Sequence, residues 1–224
     1  MKTKTKILTI LLIFILLGAT VLTACVLSKT NINDNISEYS KHLFFGENED
    51  AYVTVTTGTR ENPYEYDGIS NEKIDFFVVN TVFKTNTDQQ TISSKIKIDD
   101  KEYDLTLEKN PFKSSFMADL QLPATIDTKI SLVLNEKEII LSNKDSAFQI
   151  TSEKALEVAI NSLSEEIKSM TSKNKFNGEG YLKIINNPLQ NPELYYWYFS
   201  VKGQNGKTYS LIIDTNSGEV LAKY

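Results

Sequence analysis

Between Ala51 and Asn143 the chain repeats a pattern that leaves few folds open to it: short runs in which apolar and polar residues alternate, separated by turn signals. In the run AYVTVTT, Ala51, Val53 and Val55 share one face while Tyr52, Thr54 and Thr56 share the other, the period of a half-buried strand. Residues 92–98 alternate Ile with Ser and Lys. After the turn Asp99-Asp100-Lys101, residues 102–107 send Tyr103, Leu105 and Leu107 one way, and residues 115–122, 129–134 and 137–142 continue the pattern. Residues 74–84 (IDFFVVNTVFK) are apolar on both faces, as a central strand should be. Seven such strands with no competing helical period predict an antiparallel β-sandwich of Ig-like size over residues 44–145.

The period changes after Ile150. Leu156, Ala159, Ile160, Leu163, Ile167 and Met170 fall at helical spacing, with Thr151 or Ser152 as N-cap and Glu153 in the first turn, where the helix dipole favours an acid. Strands are expected at residues 181–185, 194–202, 208–214 and 219–224, joined by the turns Gly203-Gln204-Asn205-Gly206 and Thr215-Asn216-Ser217-Gly218. The expected fold class is therefore α+β: the sandwich, then a small domain of one helix on an antiparallel sheet.

Three stretches of this second half carry a resemblance. Thr151-Ser152-Glu153-Lys154-Ala155 opens the helix, Tyr196-Trp197-Tyr198-Phe199 lies on a strand, and residues 209–221 (YSLIIDTNSGEVL) end in Ile-Asp-x-x-x-Gly-Glu-Val-Leu. Together they resemble a PepSY domain spanning residues 148–224. Two features depart from that pattern: the polar loop at residues 172–180 is longer, and Asn187-Pro188 to Asn191-Pro192 interrupts the sheet. The resemblance implies a secreted or membrane-associated module that binds or inhibits peptidases, without catalysis.

At the N-terminus, Lys2, Lys4 and Lys6 precede an uncharged apolar run, residues 7–17 (ILTILLIFILL), the layout of an export signal. Leu22-Thr23-Ala24-Cys25 resembles the lipobox of bacterial lipoproteins. By that resemblance residues 1–24 are removed and Cys25 is diacylated, placing the protein on the extracytoplasmic face of the cell membrane. An uncleaved apolar anchor is the alternative, and it also puts the remainder outside. Two acyl chains satisfy the requirement for stable anchoring, and the polar residues 25–43 then read as a tether. An Ile-, Asn- and Lys-rich chain with a single Arg fits a low-GC Gram-positive source.

Loss of residues 1–24 removes three lysines and no acid, leaving 21 basic against 29 acidic residues and a net charge of −8. An acidic protein is repelled by phosphate, which argues against a nucleic-acid partner. With one Cys, one His and one Arg, the chain lacks the kit for an internal disulfide, a Cys/His zinc site or a Cys–His dyad, so no cofactor and no catalytic residue is assigned. His42 reads as a loop histidine. Asp214-x-Asn216-x-Gly218-Glu219 imitates a calcium loop without the distal glutamate and reads as a hairpin turn. Leu122-Pro123-Ala124-Thr125 lacks the glycine, tail and basic end of a sorting signal. Tyr195, Trp197 and Phe199 are expected to cover the helix.

The long loop at residues 58–71 (GTRENPYEYDGISN) carries the single Arg beside Glu61, Tyr64, Glu65, Tyr66 and Asp67, and Arg and Tyr are favoured at interfaces. Arg60, Tyr64 and Tyr66 are therefore the candidate binding residues. The expected function is a non-catalytic envelope binding module, with an envelope protein, peptidase or cell-wall enzyme as partner. The alternative is a cell-surface hydrolase using carboxylates such as Glu61 and Glu65, whose separation the spacing leaves open. A two-lobed solute-binding protein is disfavoured because no alternating βα pattern is present.

Overall fold

The computed structural model describes residues 32–187 and 191–224; the export signal, Cys25 and the first part of the tether lie outside the described residues. Strands make up 55% and helices 13% of the described residues, which are therefore mostly β. The expected α+β fold, a sandwich followed by a helix-on-sheet domain, is corrected. Eight antiparallel strands close into a barrel, and four further strands extend the same sheet.

The barrel strands are β1 (Ile36–Glu47), β2 (Ala51–Glu61), β3 (Lys73–Phe83), β4 (Thr91–Ile98), β5 (Lys101–Lys109), β6 (Phe116–Leu120), β7 (Ile130–Leu134) and β8 (Lys137–Asn143). Their order is β1-β2-β3-β6-β5-β4-β7-β8, closed by β1 against β8. Alternation decides which side chains enter: Ala51, Val53 and Val55 of β2, Phe77 and Val79 of β3, Ile96 of β4, Leu107 of β5 and Leu132 of β7 are fully buried. Each full burial of a larger aliphatic or phenyl side chain stabilises the fold by roughly 1.5–3 kcal/mol.

The strand that turns a sandwich into a barrel is β1, which the sequence reading assigned mostly to the tether. Its first half, ISEYSK, has no clean alternation, yet Ile36, Ser37 and Ser40 are buried. β1 pairs with β2 from Glu38 to Glu47, with a bulge between Ser40 and His42. The bulge bends the strand, so its two halves serve different neighbours. Phe44 and Phe45 pair with Asn143 and Ser142 of β8 and close the barrel, whereas Ile36 to Tyr39 run parallel to Gly180–Leu182. Glycine is required where this crossing is tightest: a Cβ on Gly58 would run into the Tyr39 carbonyl, and one on Gly46 into the Ile140 carbonyl. His42 is consequently a strand residue, its Nδ1 2.6 Å from Asp145 Oδ2.

The four long C-terminal strands do not form a sheet of their own. β9 (Thr171–Ser172) and β10 (Lys175–Phe176) make a small hairpin, and β11 (Gly178–Asn187), β12 (Asn191–Gly203), β13 (Thr208–Asp214) and β14 (Val220–Lys223) continue the barrel sheet outward from β1. Two short helices, α1 (Ser152–Ser162) and α2 (Ser164–Ser169), cover them. Thr151 caps α1 by accepting the Lys154 N–H, and the helical register breaks at Leu163, which is itself fully buried. Ala155, Ala159 and Leu163 pack with Trp197, Phe199, Leu211 and Ile213, and the Trp197 indole donates to the Ile150 carbonyl at 2.9 Å. Ile32 and Ile36, from the start of the described chain, belong to this second core.

Candidate functional site

Where β1 parts from β11, a groove of about 680 Å³ opens against the outer wall of the barrel. The double apolarity of β3 explains its floor. Phe77 and Val79 face the barrel core, while Phe76, Val78 and Val82 face outward and line the groove. Thr54 and Thr56 of β2 complete the floor, and Lys183 to Asn186 of β11 form one wall.

The structure places Arg60 within β2 and Tyr64 on the following loop, and brings both to the groove. Arg60 forms an ion pair with Asp119 of β6. Its guanidinium lies 5.7 Å from the Tyr64 ring centre and 5.5 Å from that of Phe76, within cation–π range. The Tyr64 hydroxyl donates to Glu38 and accepts from Lys183 Nζ at 2.6 Å; Lys183 in turn lies 2.8 Å from Glu38 Oε2. Burial and the Glu38 charge push the Tyr64 phenol up to about 12. Burial opposes the charge on Lys183, but Glu38 and Tyr64 outweigh it and raise the amine's pKa. Near neutral pH the phenol is thus a neutral donor and the lysine a fixed cation, an arrangement suited to holding a ligand rather than to moving protons.

Tyr66 is separated from the other two candidates. Its ring lies tilted against Tyr181 with centres 4.9 Å apart, its hydroxyl lies 3.2 Å from Ser200 Oγ, and Lys202 Nζ sits 4.3 Å from its ring centre. Tyr181, buried between the two loop tyrosines, donates to the Glu65 carbonyl at 2.9 Å. Burial raises its phenol above the ordinary value. Tyr66 therefore pins the loop to β11 and β12.

Beneath that loop lie two carboxylates, Glu61 and Glu179, both with no exposed surface. Each holds the loop by one oxygen: the Asn71 N–H donates to Glu61 Oε2 at 3.1 Å, and the Gly68 N–H to Glu179 Oε1 at 2.6 Å. Their second oxygens and the Ser37 hydroxyl are buried without a well-formed hydrogen bond, although Ser37 interacts with Glu61 and the Tyr181 hydroxyl with Glu179. Burial pushes the Glu61 carboxyl above its ordinary value, the Asn71 N–H pulls it partly back, and the Glu179 charge raises it again. Glu65, by contrast, is exposed, so Glu61 and Glu65 do not flank an open cleft.

The Asp214 turn is a hairpin between β13 and β14: its Oδ1 accepts from Asn216 N–H, Ser217 N–H and Ser217 Oγ. Among the described residues no group of three or more His, Cys, Asp or Glu side chains is placed to hold a metal ion. The sequence reading missed Glu38, Lys183, Asp119 and Glu179, because each reaches the site by strand pairing across more than twenty residues. One usable signal was present: a strand apolar on both faces, in a barrel with solvent outside, must cover something or be covered. No protein-family model, curated protein or solved structure matches the chain.

Proposed function

We propose that this protein is a lipid-anchored binding protein on the extracytoplasmic face of a bacterial membrane, recognising an envelope protein through the groove that holds Arg60 and Tyr64. The observation that carries this reading is the groove itself: an apolar floor on a rigid barrel, rimmed by Arg60, Lys183 and Tyr64 in a braced network. Rigid Arg and Tyr anchors concentrate binding energy at protein interfaces. The basic, then apolar, then small-small-Cys order of residues 2–25 supports the anchoring, with Cys25 as the acylated residue. The resemblance of residues 148–224 to PepSY modules makes an envelope peptidase or cell-wall enzyme the first partner to test. No observation favours the hydrolase reading, since Glu61 is sealed beneath its loop.

Two measurements test the proposal. Cys25→Ser should abolish labelling by a fatty-acid analogue; undiminished labelling and normal processing would remove the lipid anchor. Crosslinking in intact envelopes should capture a partner whose affinity falls by about 1–3 kcal/mol on Arg60→Ala with Tyr64→Ala. An unchanged affinity would move the binding surface elsewhere.

A further inference from the structure

Resting on the groove reading above, we infer that the ligand is an extended peptide segment bearing a carboxylate among apolar side chains, which adds as a strand to the free edge of β11. The fork in the sheet supplies that edge. β1 pairs with β11 only as far as Tyr39 opposite Leu182, and then bends away to β8. β11 continues beyond Leu182 with β12 as its strand partner, so from Lys183 to Asn186 one side of its backbone faces the groove with no strand partner among the described residues. Four residues at about 3.3 Å each make an edge of roughly 13 Å, and an added strand would lie about 4.8 Å away from it. That position is within the groove, because the same four residues form its wall. Unpaired edges are the sites of strand addition, in which main-chain hydrogen bonds provide affinity and alternate side chains provide selectivity.

One further observation points to the chemistry of the occupant. The charge of the lining is the reverse of that of the whole chain. Glu38 pairs with Lys183 and Asp119 with Arg60, which leaves Lys113 as the cation in excess, with no ion-pair partner among the described residues. A carboxylate on the added strand would meet Lys113, while its apolar neighbours at the alternate positions would meet Phe76, Val78 and Val82.

The test is selection of random linear peptides against the full chain in detergent micelles, followed by hydrogen exchange and titration. Selected peptides should carry Asp or Glu within an alternating apolar pattern, and should slow exchange at Lys183 to Asn186. Methylating alternate amides along one edge of such a peptide should weaken it by at least about tenfold. Val78→Trp, which fills the groove from outside the barrel, should do the same; Lys113→Glu, an exposed substitution at the rim, should select against acidic peptides without altering thermal stability. Peptides that lose affinity with Val78→Trp but ignore amide methylation would overturn strand addition and leave the groove standing. Peptides indifferent to Val78→Trp and Lys113→Glu, or no enrichment at all, would overturn this inference, and the envelope crosslinking then decides the groove reading separately. Protection of Lys183 to Asn186 that rises with protein concentration in the absence of peptide would replace the peptide with a second copy of this chain.

Discussion

The barrel interior and the junction where the C-terminal strands leave it are buried to the same degree but built from opposite materials. Inside the barrel no charged side chain among the described residues is buried; Phe77, Val79, Ile96, Leu107 and Leu132 fill the space. At the junction Glu61, Glu179 and Ser37 are sealed from solvent, and one oxygen of each lacks a well-formed hydrogen bond. Apolar packing needs only correct patterning, so the barrel can be a stable frame. A buried carboxylate costs several kcal/mol unless compensated, and the junction tolerates two because they hold the loop that presents Tyr64 and Tyr66. The barrel and the junction beside the groove are therefore built differently although continuous in sheet.

Substitution at the two sites should expose that separation. Phe77→Ala removes a phenyl ring from the barrel centre and should cost about 3–5 kcal/mol of unfolding free energy, measured by urea titration. A loss below about 1 kcal/mol would mean that the barrel interior is not tightly packed there. At the junction the informative comparison is Glu179→Ala with Glu179→Gln, since both remove the charge but only Gln keeps an acceptor for the Gly68 N–H. The alanine variant should be the less stable by about 1–3 kcal/mol, with faster exchange at Gly68 and earlier proteolysis in residues 62–72. Equal behaviour of the two variants would show that this hydrogen bond does not hold the loop.

The smallest effect is one of pH. The Glu61 carboxyl lies above its unfolded value of 4.5, so in the interval between the two pKa values the folded state binds more protons than the unfolded state. Its contribution to stability is complete below the unfolded value and is lost as pH rises through the folded one. Carboxylates held down by partners, such as Glu166 beside Lys223 and Asp214 in its turn, act in the opposite sense. The readout is thus a difference: relative to Glu61→Gln, the wild-type melting temperature should fall as pH is raised from about 4 to about 8. Parallel curves would mean that Glu61 titrates normally.

How far the sequence could be read depended on where its information was local. The seven strands from Ala51 to Asn143 are all present, and the Asn216-containing turn and the Thr151 cap stand where the side-chain chemistry puts them. Arg60 and Tyr64 were legible as interface types on one loop, and the structure brings them to one groove. Tyr66 had the same local credentials but packs onto Tyr181. Lys183 and Glu38 carry no local mark at all, since each acquires its role only by lying beside Tyr64.

What the sequence determined by itself was everything governed by periodicity and by bonds a few residues long: the β-rich first half, the capped helix, the hairpin turns, and the ordering of charge, apolar run and Cys25 at the N-terminus. Tertiary structure alone decided between sandwich and barrel, and between an isolated second sheet and a continuous one. Both decisions turn on β1, whose polar first half hides its strand character and whose bulge lets it pair with β2, β8 and β11 in turn. Closure of a sheet depends on which strand meets both edges, a property of register and twist shared among distant segments, and no window of the chain short enough to be read alone contains it.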